Sequence, residues 1–282
     1  MNGLKTALLL GLMSGLLIVG GRAIGGERGM TLALFIAIAM NFFSYFFSEK
    51  VALASSGAIR LSETENPQIF WRVAPIVKGL CQRMGLPMPR LWVIDEDAPN
   101  AFATGRNPAH SSVAVTRGLL QFMNDDEIEG VLAHELGHVK NRDILTASIA
   151  ATIASAITWL AQMAFFFGGS RDDDDNRSNP IAAIAMLLLA PIAAGMIQMA
   201  ISRTREFSAD AASAQYTGDP NKLISALRKL EAGSQRIPMD VSPSMSHMYI
   251  IKPLSGASMA RLFSTHPPTE ERIARLESLR RH

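Results

Sequence analysis

The sequence predicts a mainly α membrane protein, with four transmembrane helices carrying one cytosolic α+β domain that contains a small β-sheet. Three observations lead there. Mean hydropathy is positive, at +0.17, and 48% of the 282 residues are apolar, which points to a membrane class rather than to an ordinary soluble chain. The apolar residues gather in four charge-free stretches, Thr6 to Gly21, Gly29 to Ser48, Ile144 to Ser170 and Ser178 to Ser202. The polar remainder forms two pieces whose apolar residues recur at helix or strand spacing.

A bilayer core of about 30 Å is crossed by roughly 20 helical residues, a length that the last three stretches meet. The first is shorter and follows Lys5, a pattern shared with signal peptides. It is expected to be retained as a first span, which a mature N-terminus at Met1 or Asn2 would support. The domain order is then a transmembrane hairpin over 4–48 (spans about 4–21 and 29–48), the first half of the cytosolic domain over 49–143, a second hairpin over 144–202 (spans about 144–168 and 180–202), and the second half over 203–282. Lys5, Lys50, Arg60, Lys140, Arg142, Arg203 and Arg205 border the side holding both termini and the large segments. Arg22, Arg28, Arg171 and Arg177 border the other, where Asp172 to Asp175 read as a solvated turn. Basic residues mark the cytosolic side, so the large segments are placed in the cytosol. Each polar piece is near the size at which a separate core becomes marginal, so the two are expected to fold together.

Within the first piece, Ile69, Phe70, Val73, Ile76, Val77 and Leu80 recur at helical spacing from Asn66 to Met84, and MGLPMP ends the pattern. Leu91 to Ile94, Ala101 to Thr104 and Ser112 to Thr116 read as short strands, with Gly105 to Pro108 as a turn. Asn124 followed by Asp125, Asp126 and Glu127 has capping-box spacing and opens a helix through EIEGVLAHELGH. No Pro or Gly interrupts the chain between Gly137 and Phe167, so this helix is expected to run on into the third span. In the second piece, TREFSADAASAQYTG reads as a helix ending at Gly218, and PNKLISALRKLEAG as one ending at Gly233. The stretch 234–265, rich in Ser, Pro and Met, reads as a loop; PPTEERIARLESLRR reads as a terminal amphipathic helix.

Net charge is only +2 and no basic run is interleaved with aromatics, so no nucleic-acid partner is expected. Cys81 is the single cysteine, which rules out an internal disulfide or a thiolate cluster. Any metal must therefore be held by His and carboxylate groups. His134 and His138 lie four residues apart, on one helical face, with Glu135 beside them. Two such histidines and a carboxylate leave a zinc ion a fourth position for water, whose pKa falls toward about 7, and an adjacent Glu can take its proton. Glu135 is the base on this reading.

The second hairpin nominates the remaining ligand. Residues 144 and 202 lie at the same membrane level, and at about 1.5 Å per residue His138 stands roughly 9 Å and Glu206 roughly 6 Å above it. Glu206 is therefore preferred to Glu231, Glu270 or Glu271, and the metal falls about 10 to 15 Å from the membrane face. Asp210, one turn further, is placed to accept the second ring N–H of a ligand histidine.

AHELGHVKNRD, SRTREFSAD and STHPPTEERI, in that order and spacing, closely resemble the HtpX family of integral-membrane zinc peptidases, to which the CAAX prenyl proteases are related. The resemblance spans essentially the whole chain and implies a zincin-like domain. It implies zinc bound by His134, His138 and Glu206, one ion per chain, with Glu135 as base. It also implies that Asn100, Ala101 and Phe102 belong to an edge strand beside the cleft, on which a peptide could dock as an added strand. His266 and Arg272 match a late motif near the active site and are candidates for stabilising the oxyanion, although a structural role fits them nearly as well. His110, His247 and His282 read as bystanders. The Met-rich stretch from Met239 to Met259 fits a flap or a gap-filling segment.

The implied function is cytosol-facing endopeptidase action on damaged or misassembled membrane proteins in a bacterial inner membrane, as part of a stress response. Its partners would be polypeptide substrates, the lipid bilayer and, by resemblance alone, an ATP-dependent membrane protease. Two alternatives stand beside it. Prenyl-peptide processing needs a chamber built from more spans than four, and a non-catalytic adaptor with structural zinc has no use for Glu135.

Overall fold

The computed structural model describes residues 2–149, 203–236, 249–250 and 267–281. It opens with helix α1, Asn2–Ser55, which carries Gly26 at φ 60, a left-handed conformation that suits glycine and breaks a helix. The two limbs on either side of it pack together. Asn41 Nδ2 donates to Ser14 Oγ at 2.9 Å although 27 residues separate them, a separation of about 40 Å on a straight helix. Leu9 and Met13 share an apolar cluster with Met40, Tyr45 and Ile149. The reversal lies within the expected turn 22–28. One helix among the described residues is long and apolar enough to cross a membrane, Gly26–Ser55, and Thr6–Val19 is a shorter apolar helix. The expected third and fourth spans lie outside the described residues, apart from a helical start at 144–149.

A four-stranded mixed sheet follows, in the order β1-β2-β4-β3, with β1 Ile59–Arg60, β2 Arg90–Ile94, β3 Ala101–Asn107 and β4 His110–Thr116. β3 forms one edge. It extends past the turn expected at Gly105 because Gly105 adopts φ 138 within a bulge, and pairing resumes at Asn107 with His110. Helix α2, Pro67–Met84, stops at Gly85 in the left-handed region, as the sequence predicts. The two-residue β1 and the short α3, Arg117–Phe122, are absent from the sequence reading.

Helix α4, Asp125–Lys140, begins with the expected capping box: Asn124 and Glu127 each receive the other's backbone N–H. The continuous helix expected beyond Gly137 is not formed. Arg142 adopts φ 58, its N–H bonds to Val139, and the next N–H, of Asp143, reaches back to the His138 carbonyl at 2.9 Å. Paired reverse bonds of this kind end a helix without glycine or proline, and the chain is helical again from 144. Two further helices complete the core, α5 Arg203–Thr217 and α6 Pro220–Arg236. α6 passes through Gly233, the residue expected to end it; a Cβ there would lie 2.6 Å from Pro99 Cγ, so packing is what requires that glycine. The C-terminal helix is α7, Thr269–Ser278.

The sheet faces two cores. Ala101, Ala103, Val113 and Val115 pack with Val131, Leu132 and Leu136 of α4 and with Leu223 and Leu227 of α6. On the opposite face Phe102, Ala114 and Ile94 meet Ala52 and Leu53 in the last turns of α1. The alternation is that of a strand with both faces covered.

Candidate active site

Three helices and one strand bring the site together. α4 supplies His134, Glu135 and His138, and α5, lying alongside, supplies Glu206 and Asp210 one turn apart. The close approach of the two helices depends on the glycine inside HELGH: a Cβ on Gly137 would lie 3.2 Å from both Ala209 Cα and Ala212 Cβ. Ser213 Oγ donates to the Gly130 carbonyl at 2.7 Å, a second tie along the same seam.

The donor atoms converge. His134 Nε2 and His138 Nε2 lie 3.2 Å apart; Glu206 Oε2 is 3.7 Å from the first and Oε1 is 3.5 Å from the second. Among the described residues these three side chains form a group that could hold a metal ion. The outer ring nitrogens face carboxylates: His134 Nδ1 lies 2.9 Å from Asp210 Oδ1, and His138 Nδ1 lies 3.2 Å from Asp143 Oδ2. A histidine donating through Nδ1–H leaves the Nε2 lone pair for a cation. Asp210 reaches His134, and not His138. Asp143 was missed, because its proximity to His138 arises from the helix stop at Arg142 and a continuous helix would have carried it away.

Arg272 is 2% exposed and grips Asp210 with Nε at 3.0 Å and Nη2 at 2.7 Å, while Nη1 donates to the Ile250 carbonyl at 3.1 Å. Its fork thus lies behind His134, bonded to a carboxylate and a carbonyl. Arg205 Nη1 approaches Asp143 Oδ1 at 3.9 Å. His266, His247 and His282, the other late candidate and two bystanders, lie outside the described residues, as does most of the Met-rich stretch. His110 sits exposed in the β3–β4 turn beside Asn107.

Electrostatics differ across the site. Burial holds His134 neutral, its pKa lowered to about 4 against the pull of Asp210. Burial also opposes charge on His138, yet Glu206, Asp143 and Glu135 outweigh it and raise the pKa to about 9. Burial raises Glu135 to about 8, and the Glu206 carboxylate adds to that effect. Asp210 is lowered to about 2, because Arg272 and His134 overcome its burial. The His138 side chain is 16% exposed against 1% for His134, so the open face of the site lies on the His138 side.

β3 closes the site. The Ala103 N–H donates to the Glu135 carboxylate. Asn100 is buried and its Oδ1 accepts from Ala101 N at 3.1 Å, while the Phe102 ring lies on the sheet face turned away from α4. Of the three edge residues named from the sequence, Ala101 has its edge carbonyl bonded by Ile250 N at 3.2 Å, and Phe102 packs the back of the sheet.

The fold and this HExxH centre define a class, and the comparisons agree: residues 67–280 match peptidase family M48, and the chain is a metallopeptidase of that family, within its HtpX branch. It is 54% identical to a protease HtpX homologue of Paraburkholderia phytofirmans over 99% of this chain and 98% of the relative. To the protease HtpX homologue of Pelotomaculum thermopropionicum it is 49% identical over 99% of each chain. The crystal structure of Ste24p from S. mikatae shares the fold, with a TM-score of 0.51 and 22% identity, covering 98% of this chain and 64% of that longer one.

Proposed function

We propose that the chain is a membrane-embedded zinc endopeptidase that cleaves membrane or misfolded polypeptides at the cytosolic face of a bacterial inner membrane, in a quality-control role. The observation that carries the zinc assignment is the spacing of the donor atoms. Around a tetrahedral zinc at about 2.0 to 2.2 Å, neighbouring ligand atoms lie roughly 3.3 to 3.5 Å apart; here the separations are 3.2, 3.5 and 3.7 Å. Two imidazole nitrogens and one carboxylate suit zinc, and each histidine has its own supporting carboxylate.

His134, His138 and Glu206 would hold the ion, which when bound supplies Lewis acidity toward the scissile carbonyl and acidifies a water to a pKa of about 7. Glu135 takes the proton of the attacking water and delivers it to the leaving amine. Ala103 orients that carboxylate through its N–H. Asp210 and Asp143 fix the ring orientations of His134 and His138, and Arg272 fixes Asp210. β3 offers an edge to an extended substrate, which favours action on unfolded polypeptide.

The membrane setting is supported by the helix Gly26–Ser55, whose most apolar 18-residue window has mean hydropathy 1.9 and is only 17% buried, unlike the core helix of a soluble protein. The Glu135→Gln variant tests the chemistry: it should retain its metal, measured by elemental analysis of the purified protein, and lose cleavage of an unstructured substrate by roughly a thousandfold or more. Undiminished cleavage by this variant, or by chelator-treated protein, would overturn the assignment.

A further inference from the structure

β3 is an edge strand, and Ala101 and Ala103 direct backbone groups away from β4. The Ala103 N–H meets Glu135, while the Ala101 carbonyl accepts from Ile250 N at 3.2 Å. Part of the edge on which a peptide would pair is therefore already taken by the chain itself. Tyr249 and Ile250 are firmly seated there. Both are 1% exposed. The Tyr249 ring stands edge-on against Phe102, with centroids 5.1 Å apart at 72°, and Ile250 packs into the core beneath α4. The Ile250 carbonyl is held by buried Arg272, which is itself doubly bonded to Asp210.

These contacts fix a position along the strand. Ala103 marks the level of the chemistry, because its N–H lies on Glu135. At about 3.4 Å per residue, Ala101 is about 7 Å to one side of that level and Asn107 about 14 Å to the other.

We propose that Tyr249 and Ile250 form a specificity wall that closes the edge at Ala101, so that an extended substrate pairs with β3 over about two residues on that side of the scissile bond and about four on the other. The inference rests on the peptidase reading above and deepens it. In antiparallel pairing, the more stable ladder per residue, the short side is the C-terminal side of the substrate.

The test uses full-length, zinc-loaded protein and unstructured peptides extended one residue at a time on either side of a fixed scissile bond. Each added pairing should raise kcat/KM roughly threefold to tenfold. The gain should continue to about the fourth residue on the N-terminal side and stop after about the second on the C-terminal side. In Tyr249→Ala and Ile250→Gly, the ratio of kcat/KM between long and short C-terminal extensions should rise; because the ratio is taken within each variant, a general loss of activity cancels. A symmetric length profile in the unaltered protein overturns the wall, as does an unchanged ratio in a folded Tyr249→Ala variant. If neither variant folds, the unaltered protein's profile decides by itself. Failure to cleave any peptide overturns the peptidase reading and the wall with it, whereas cleavage with a symmetric profile overturns the wall alone.

Discussion

Asp143 and Asp210 perform the same task on two histidines, yet they are held very differently. Asp210 is gripped by an Arg272 fork that is almost wholly buried, so removing its carboxylate strands a buried cation. Asp210→Ala should therefore destabilise the fold by about 3 to 5 kcal/mol, measured by chemical denaturation. Asp143 lies 3.2 Å from His138 Nδ1 and 3.9 Å from Arg205 Nη1. Asp143→Ala should weaken metal binding by roughly 10- to 100-fold, measured by competition with a chromogenic chelator. Unchanged metal affinity in that variant would contradict the role given to Asp143. Arg142 bears on the same point, since its φ of 58 is costly for a side chain. Arg142→Gly should be tolerated, or stabilising by up to about 1 kcal/mol, because it relieves that cost without disturbing Asp143.

Helix α4 is the element on which the site depends, and its start and its middle were legible beforehand. Its start was legible because Asn124 and Glu127 form a local motif with fixed spacing. Its end was not: neither Gly nor Pro stands there, and only long-range packing reveals that Arg142 turns left-handed and returns Asp143 to His138. The same lesson runs through the other elements. α2, α5 and the strands announce themselves by period, whereas β1 and α3 are too short for a period to show. Gly233 looked like a stop and is a contact with Pro99. Ile250 could not be found at all, since it lies in a stretch of Ser, Pro and Met with no repeating pattern.

Two element-scale outcomes follow for α4. In Gly137→Ala, α5 must shift by a few tenths of an ångström, and metal affinity should fall, measured by the same chelator competition. Glu127 is nearly buried, and burial raises its pKa, but Lys229, Ser225 and the Asn124 N–H overcome this and lower it below the ordinary 4.5. A carboxyl with a depressed folded-state pKa contributes stability above its unfolded value and loses it as pH falls through the folded one. Glu127→Ala should thus cost about 1 to 2 kcal/mol at neutral pH, and the gap to the unaltered protein should narrow below pH 4.5, as followed in denaturation curves. A gap independent of pH would exclude the ion pair as its source.

At the scale of the whole molecule, the domain is joined to α1 by more than a covalent link. Ala52 and Leu53 pack on the back of the sheet, and Glu49 Oε1 accepts from Arg90 Nη2 and Ser112 Oγ, each at 2.5 Å. The buried Thr6–Thr146 and Thr104–Ser148 hydroxyl pairs tie the opening helix and β3 to the start of the next expected span. Glu49→Ala should loosen the sheet from α1. In the proposed setting it should lower cleavage of a membrane-inserted substrate severalfold while changing hydrolysis of a soluble peptide by less than about twofold, because only the former depends on orientation. Equal effects on the two substrates would count against that coupling.

The anchorage of the sheet on the last turns of α1 has a metric meaning. In the proposed membrane setting, a domain that cannot swing would hold its cleft at one fixed height above the bilayer surface. A chain leaving the membrane would cover that gap with a few extended residues. The fold would then work as a ruler: a tail that stays helical or is tucked against the lipid falls short, and one that has come undone for a few residues reaches. Loss of structure at the membrane boundary, rather than any particular side chain, would mark a polypeptide for cutting.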